Sequence, residues 1–149
     1  MTLTEQINND LKEAMKAREK VRLESLRAIK SALLLASTEK GAGESSDEAE
    51  LKMLQKLVKQ RKDAAGIFIE QNRQDLADPE LAQVAIIEKY LPAQMSEEEV
   101  KSIIDAIVAD TGASSMAEMG KVMGMANKKM AGKADGKMIA IFVKSALAN

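Results

Sequence analysis

The chain has 149 residues, a formal net charge of −1, 46 % hydrophobic and 30 % charged residues, and neither cysteine, histidine nor tryptophan. That apolar content suffices for a core and argues against disorder, and the length holds one domain or two small ones. Without cysteine or histidine there is no disulfide, no thiol nucleophile, no cysteine-ligated metal and no imidazole base or ligand.

Alanine, leucine, lysine and glutamate dominate, with ten methionines, one tyrosine and two phenylalanines. This is the composition of an all-α protein, and no alternating β-branched run offers a strand. The opening MTLTEQINNDLKEAMK mixes charges through any apolar region and does not read as a signal peptide. No apolar run approaches the roughly 18 residues of a membrane span. The expected location is cytoplasmic, with no metal, cofactor, membrane or DNA partner.

In chain order, Thr2 and Glu5 form a capping box, and Leu3, Ile7, Leu11 and Met15 follow as one stripe of a helix to about Arg18. Leu26, Ile29, Leu33 and Ala36 mark a second helix, with Leu23 and Leu34 widening its face. Its polar side carries Lys20, Arg22, Arg27 and Lys30, either a solvated face beside Glu19 or a second anionic contact surface. Gly41 to Ser46 reads as a linker, and Ser45 with Glu48 as another capping box.

The third helix carries Leu51, Leu54, Val58, Ala65 and Phe68 on one stripe, interrupted by Arg61, which is expected to snorkel outward. Lys52, Lys56, Lys59, Arg61 and Lys62 make it locally basic, read as ordinary surface charge beside Glu50, Asp63 and Glu70. Gly66 predicts a kink or a close crossing. Asn72 to Ala77 breaks the pattern. Asp78 as N-cap and Pro79 at the first helical position predict a restart, with Leu81, Val84, Ile87 and Leu91 on its stripe. Pro92 ends that helix. The expected division is a helical domain of about four helices over residues 1–92 and a three-helix bundle over 93–149.

Beyond Pro92, Ser96 and Glu99 cap a helix with Val100, Ile103, Ile104, Ile107 and Val108 on one face, closed by Gly112. Ser115 and Glu118 start the next, with Met116, Met119, Met123, Ala126 and Met130 inside and Gly132 at its end. Asp135 caps the last, which buries Met138, Ile139, Phe142, Val143 and Ala146. Ser96 to Asp110 holds five acids and one lysine, net −4. From Ser114 onward Lys121, Lys128, Lys129, Lys133, Lys137 and Lys144 face only Glu118 and Asp135, net +4. Gly120 and Gly124 lie one turn apart in this basic segment, each costing about 1 kcal/mol against alanine. They call for a reason: tight helix packing, or close approach of a partner's backbone.

The order EKYLPAQMSEEEV, TGASSMAEMGKVMG, KADGKMIAIFVKSAL, together with LRAIKSALL, LVKQRKDA and RQDLAD, resembles the GatB/YqeY family along essentially the whole chain. The C-terminal part is similar to the tail domain of the B subunit of the glutamine-dependent aminoacyl-tRNA amidotransferase. The resemblance implies an all-helical fold in two parts and a link to tRNA, since that tail domain contacts tRNA while the transfer chemistry lies in domains absent here. The leading expectation is a non-catalytic tRNA-binding or tRNA-associated module. Lys121, Lys128, Lys129, Lys133 and Lys137 would meet phosphates, and Gly120 and Gly124 would admit the RNA backbone. With so few aromatics, recognition would run through shape and phosphate rather than base stacking.

Two other classes stay open at this level. One is an amide-forming carbon–nitrogen ligase with glutamine as amido donor, or its accessory subunit, by association with the family. No P-loop, nucleotide turn or metal cluster supports it, and Ser114-Ser115 is its only suggestive nucleophile. The other is an adaptor whose methionines form an adaptable groove for a translation-related protein.

Overall fold

The computed structural model describes residues 1–38 and 47–148, and the described residues form helices and no strand. The order is α1 (Leu3–Ala17), α2 (Lys20–Thr38), α3 (Asp47–Glu70), α4 (Gln74–Glu88), α5 (Glu97–Thr111), a 3₁₀ turn (Met116–Glu118), α6 (Met119–Lys129) and α7 (Gly136–Leu147). Two compact units result, Met1–Leu91 and Pro92–Asn149. The linker expected between the second and third helices, and Ser45 of the expected Ser45–Glu48 cap, lie outside the described residues.

In the first unit, Thr2 Oγ1 accepts from the Glu5 amide at 3.2 Å, and Glu5 Oε2 accepts from the Thr2 amide at 2.9 Å, the reciprocal pair of a capping box. α1 ends because Arg18 turns left-handed, at φ 56°. The Arg18 amide then donates to Met15 O at 3.3 Å and the Glu19 amide to Ala14 O at 3.1 Å. That closure satisfies the last carbonyls and leaves only Arg18 and Glu19 between α1 and α2. Ile7, Leu11 and Ala14 pack against Leu26, Ile29 and Leu33 of α2, Leu54 and Val58 of α3, and Val84 and Ile87 of α4. Two residues of the expected stripes face outward, Met15 at 58 % exposure and Leu34 at 58 %.

Three expectations for this unit are overturned. α4 starts at Gln74, not at Pro79, which lies inside the helix. The cause is Asn72, left-handed at φ 59°, with its amide donating to Ile69 O at 3.0 Å and the Arg73 amide to Phe68 O at 2.7 Å. This closure reverses the chain at once and leaves Ala77, fully buried, inside the new helix. Asp78 does not cap it; its carboxylate accepts from Gln74 Nε2 at 2.6 Å. Arg61 does not snorkel outward but crosses to α4, its Nε donating to Gln83 Oε1 at 2.8 Å and its Nη1 to Leu57 O at 3.0 Å. Gly66 marks no close crossing: α3 runs through it, and a Cβ there would meet nothing within 4 Å.

In the second unit Ser96 and Glu99 close the expected capping box, with Ser96 Oγ accepting from the Glu99 amide at 3.2 Å. Gly112, at φ 67°, turns the chain out of α5, a conformation that costs glycine little. Val100, Ile104 and Ile107 of α5 meet Val122 and Ala126 of α6, Met130 beyond it, and Ile139, Val143 and Leu147 of α7. Each of the three helices packs on the other two. Met116 is not part of that core. It sits in the 3₁₀ turn at 41 % exposure, so α6 begins three residues later than expected.

No helix among the described residues is long and apolar enough to cross a membrane, and no cluster of three or more acidic residues there could hold a metal ion.

Candidate nucleic-acid interface

The inward positions of α6 are Val122 and Ala126, with Met119, Met123 and Met125 partly buried beside them. Its outward positions are therefore Gly120, Lys121, Gly124, Asn127 and Lys128, all exposed. A Cβ added at Gly120 or Gly124 would meet nothing within 4 Å. Within this unit the glycines admit no neighbouring helix. They leave a strip of bare backbone facing solvent, bordered by Lys121 and Lys128.

The turn that follows is held, not loose. The Lys133 amide donates to Met130 O at 2.9 Å, and Gly132 takes the left-handed φ of 75°. The chain ahead of α5 then clamps it: Gln94 Nε2 donates to Gly132 O at 2.7 Å and the Met95 amide to Lys133 O at 2.8 Å. Met130 and Ala134, buried on either side, pin the turn to the core. Lys128, Lys129, Lys133 and Lys137 thus project from a fixed backbone, and all four are exposed. Lys128 and Lys129 also sit in the last turn of α6, where the helix dipole favours cations.

The acids of this segment are engaged by backbone. Glu118 Oε2 accepts from the Ser114 amide at 2.6 Å and the Ser115 amide at 3.4 Å. Asp135 Oδ1 accepts from the Lys137 amide at 3.2 Å and caps α7. Among the described residues, none of Lys121, Lys128, Lys129, Lys133, Lys137 and Lys144 makes an ion pair. Four lysines elsewhere do, though not all: Lys52 with Glu48 at 3.7 Å, Lys59 with Asp63 at 3.4 Å, Lys62 with Glu88 at 3.2 Å and Lys101 with Asp105 at 2.9 Å. The segment thus joins exposed, uncompensated positive charge to accessible backbone, a combination suited to a polyanion.

Sequence reasoning missed a polar cluster in the first unit. Arg22 lies 3.0 Å from Glu19, 3.3 Å from Glu13 and 3.9 Å from Asp10. Asp10 Oδ2 in turn accepts from the Tyr90 hydroxyl at 2.5 Å. Burial, reinforced by Asp10, pushes the Tyr90 hydroxyl well above the usual tyrosine range, so it stays a donor. The cluster borders an open cavity of about 600 Å³. Arg22 faces three carboxylates, so these four side chains together are net negative. Tyr90 and Asp10 are 80 residues apart, beyond any local pattern.

Residues 4–147 match the sequence profile of a family described as Yqey-like protein. The chain is similar to the protein named "Altered inheritance of mitochondria protein 41, mitochondrial" of Saccharomyces cerevisiae (strain YJM789), 33 % identical over 113 residues, or 71 % of this chain and 60 % of that protein. It is 40 % identical over 95 residues to the protein of that name in Clavispora lusitaniae, covering 62 % of this chain and 54 % of the relative. The Kluyveromyces lactis protein is 28 % identical over 106 residues, 70 % of this chain and 57 % of its own length. The chain therefore spans less than two thirds of each of these relatives.

Proposed function

Because the chain belongs to the Yqey-like protein family, we propose that it is a non-catalytic tRNA-binding or tRNA-associated protein whose α6–α7 hairpin meets the phosphate backbone. The observation that carries this reading is the uncompensated lysine set on a clamped turn, beside Gly120 and Gly124 with open space above them. The resemblance to the amidotransferase tail domain supplies the class of polyanion. Lys121, Lys128, Lys129, Lys133 and Lys137 take phosphates, and the two glycines let the ribose–phosphate chain come close to the α6 backbone. Overall charge does not drive this binding, since the chain is −1 as a whole; the local field does.

The compartment follows the partner. Cytoplasm is the location proposed for this chain, while its yeast relatives carry names that place them in mitochondria.

The test is filter binding of the full chain to bulk tRNA at low salt, with a nonspecific acidic polymer such as polyglutamate in parallel. Retention of tRNA that polyglutamate does not displace supports the reading. No retention of tRNA at low salt overturns it.

A further inference from the structure

Resting on that reading, we propose that the hairpin grips a base-paired arm of RNA along its shallow groove, with Asn127 as the side chain that distinguishes ribose from deoxyribose. The outward face of α6 has two lanes. Lys121 and Lys128, seven apart, form a ridge of long cationic side chains. Gly120, Gly124 and Asn127 form a lower lane beside it, at spacings of four and three that keep them on one face. A rigid double helix fits such a step: the ridge reaches phosphates while the low lane lets the groove edge descend toward the helix.

Within the low lane only Asn127 has a polar side chain. It is exposed and makes no side-chain hydrogen bond among the described residues. A carboxamide both donates and accepts, whereas the ammonium of a neighbouring lysine only donates. The ribose 2′-hydroxyl also donates and accepts, and A-form RNA displays it along the wide, shallow groove. Asn127 is thus the group on this face best matched to the feature that separates RNA from DNA.

The occupant is paired rather than single-stranded because the hairpin offers no platform for stacking. Its one aromatic residue, Phe142, packs against the core of the bundle. Readers of single strands rely on exposed aromatic faces.

The experiment measures Kd for the full chain on three probes of equal length: an RNA hairpin, its DNA counterpart, and an RNA strand with no self-complementarity. The RNA hairpin is expected to bind tightest, exceeding DNA by roughly three- to tenfold, the size of one net hydrogen bond. Asn127→Ala should remove that RNA–DNA gap while leaving the Kd for DNA in place. Lys128→Gln should weaken both duplexes alike. Single-stranded RNA binding as tightly as the RNA hairpin, or an RNA–DNA ratio unmoved by Asn127→Ala, overturns the inference and leaves the tRNA reading standing. Failure of all three probes to bind removes the tRNA reading and this inference with it.

Discussion

The lysines of α3 and those of the α6–α7 hairpin are both exposed, yet the two regions use charge differently. On α3, three of the four lysines are paired: Lys52 and Lys59 have carboxylates one turn away and Lys62 reaches Glu88, while Lys56 makes no ion pair among the described residues. Nearby, Arg22 gathers Asp10, Glu13 and Glu19, and Tyr90 holds Asp10 in place. In the hairpin, Glu118 and Asp135 are turned onto backbone amides and the lysines keep their field. Charge count alone does not mark a binding surface. The difference between the two regions lies in whether the carboxylates pair with the lysines or accept from backbone amides.

This contrast makes opposite demands on mutation, and the largest stability effect belongs to the first unit. Tyr90→Phe removes a half-buried hydrogen bond to a carboxylate and should cost about 1.5 kcal/mol in urea unfolding, with tRNA binding unchanged. The same bond predicts an alkaline transition. Because the folded hydroxyl titrates above its ordinary value, its contribution is fully present below about pH 10 and is lost as pH rises toward the folded value. Tyr90 is the chain's one tyrosine and there is no tryptophan, so tyrosinate absorbance reports it alone. Ionisation in the native protein should be delayed relative to protein in denaturant. Coincident titration curves would break this half of the comparison.

Smaller effects sharpen the other half. Gly124→Ala places a methyl group in open space and should stabilise the second unit by about 0.5–1 kcal/mol. Binding to tRNA should nevertheless weaken; full binding with a raised Tm would show that the bare backbone is not used. The mildest expectation for RNA binding concerns the paired lysines. Changing Lys52, Lys59 and Lys62 together to Gln should cost about 0.3–0.5 kcal/mol per pair and leave tRNA affinity within error. A large loss of affinity would place the polyanion on α3 instead.

Local signals were readable in the amino-acid sequence wherever partners lie within a turn. The capping boxes at Thr2 and Ser96, the stripe Leu26–Ile29–Leu33 and the all-α class follow from spacing alone. The reading failed where a local signal competed with a tertiary one. Asp78–Pro79 has the form of a helix start, but the reversal at Asn72 and the burial of Ala77 set the boundary earlier. Arg61 has an apolar setting on its own helix, and its partner Gln83 is 22 residues away. The basic residues of the hairpin could be identified from sequence. That Glu118 and Asp135 are committed to backbone could be suspected from their cap positions, but the clamp by Gln94 and Met95 on Gly132 and Lys133 required the fold.

The most direct test is the salt dependence of tRNA binding by the wild-type chain and by a variant with Lys128, Lys129 and Lys133 all changed to Gln. Helix propensities of Lys and Gln are close, so folding should be preserved and far-ultraviolet circular dichroism unchanged. Wild-type affinity should fall with rising salt along a log–log line of about −0.7 to −0.9 per phosphate neutralised. The variant should bind at least about tenfold more weakly at low salt, on a line shallower by about two units. An unchanged affinity and an unchanged slope would show that the α6–α7 hairpin is not the surface that meets RNA.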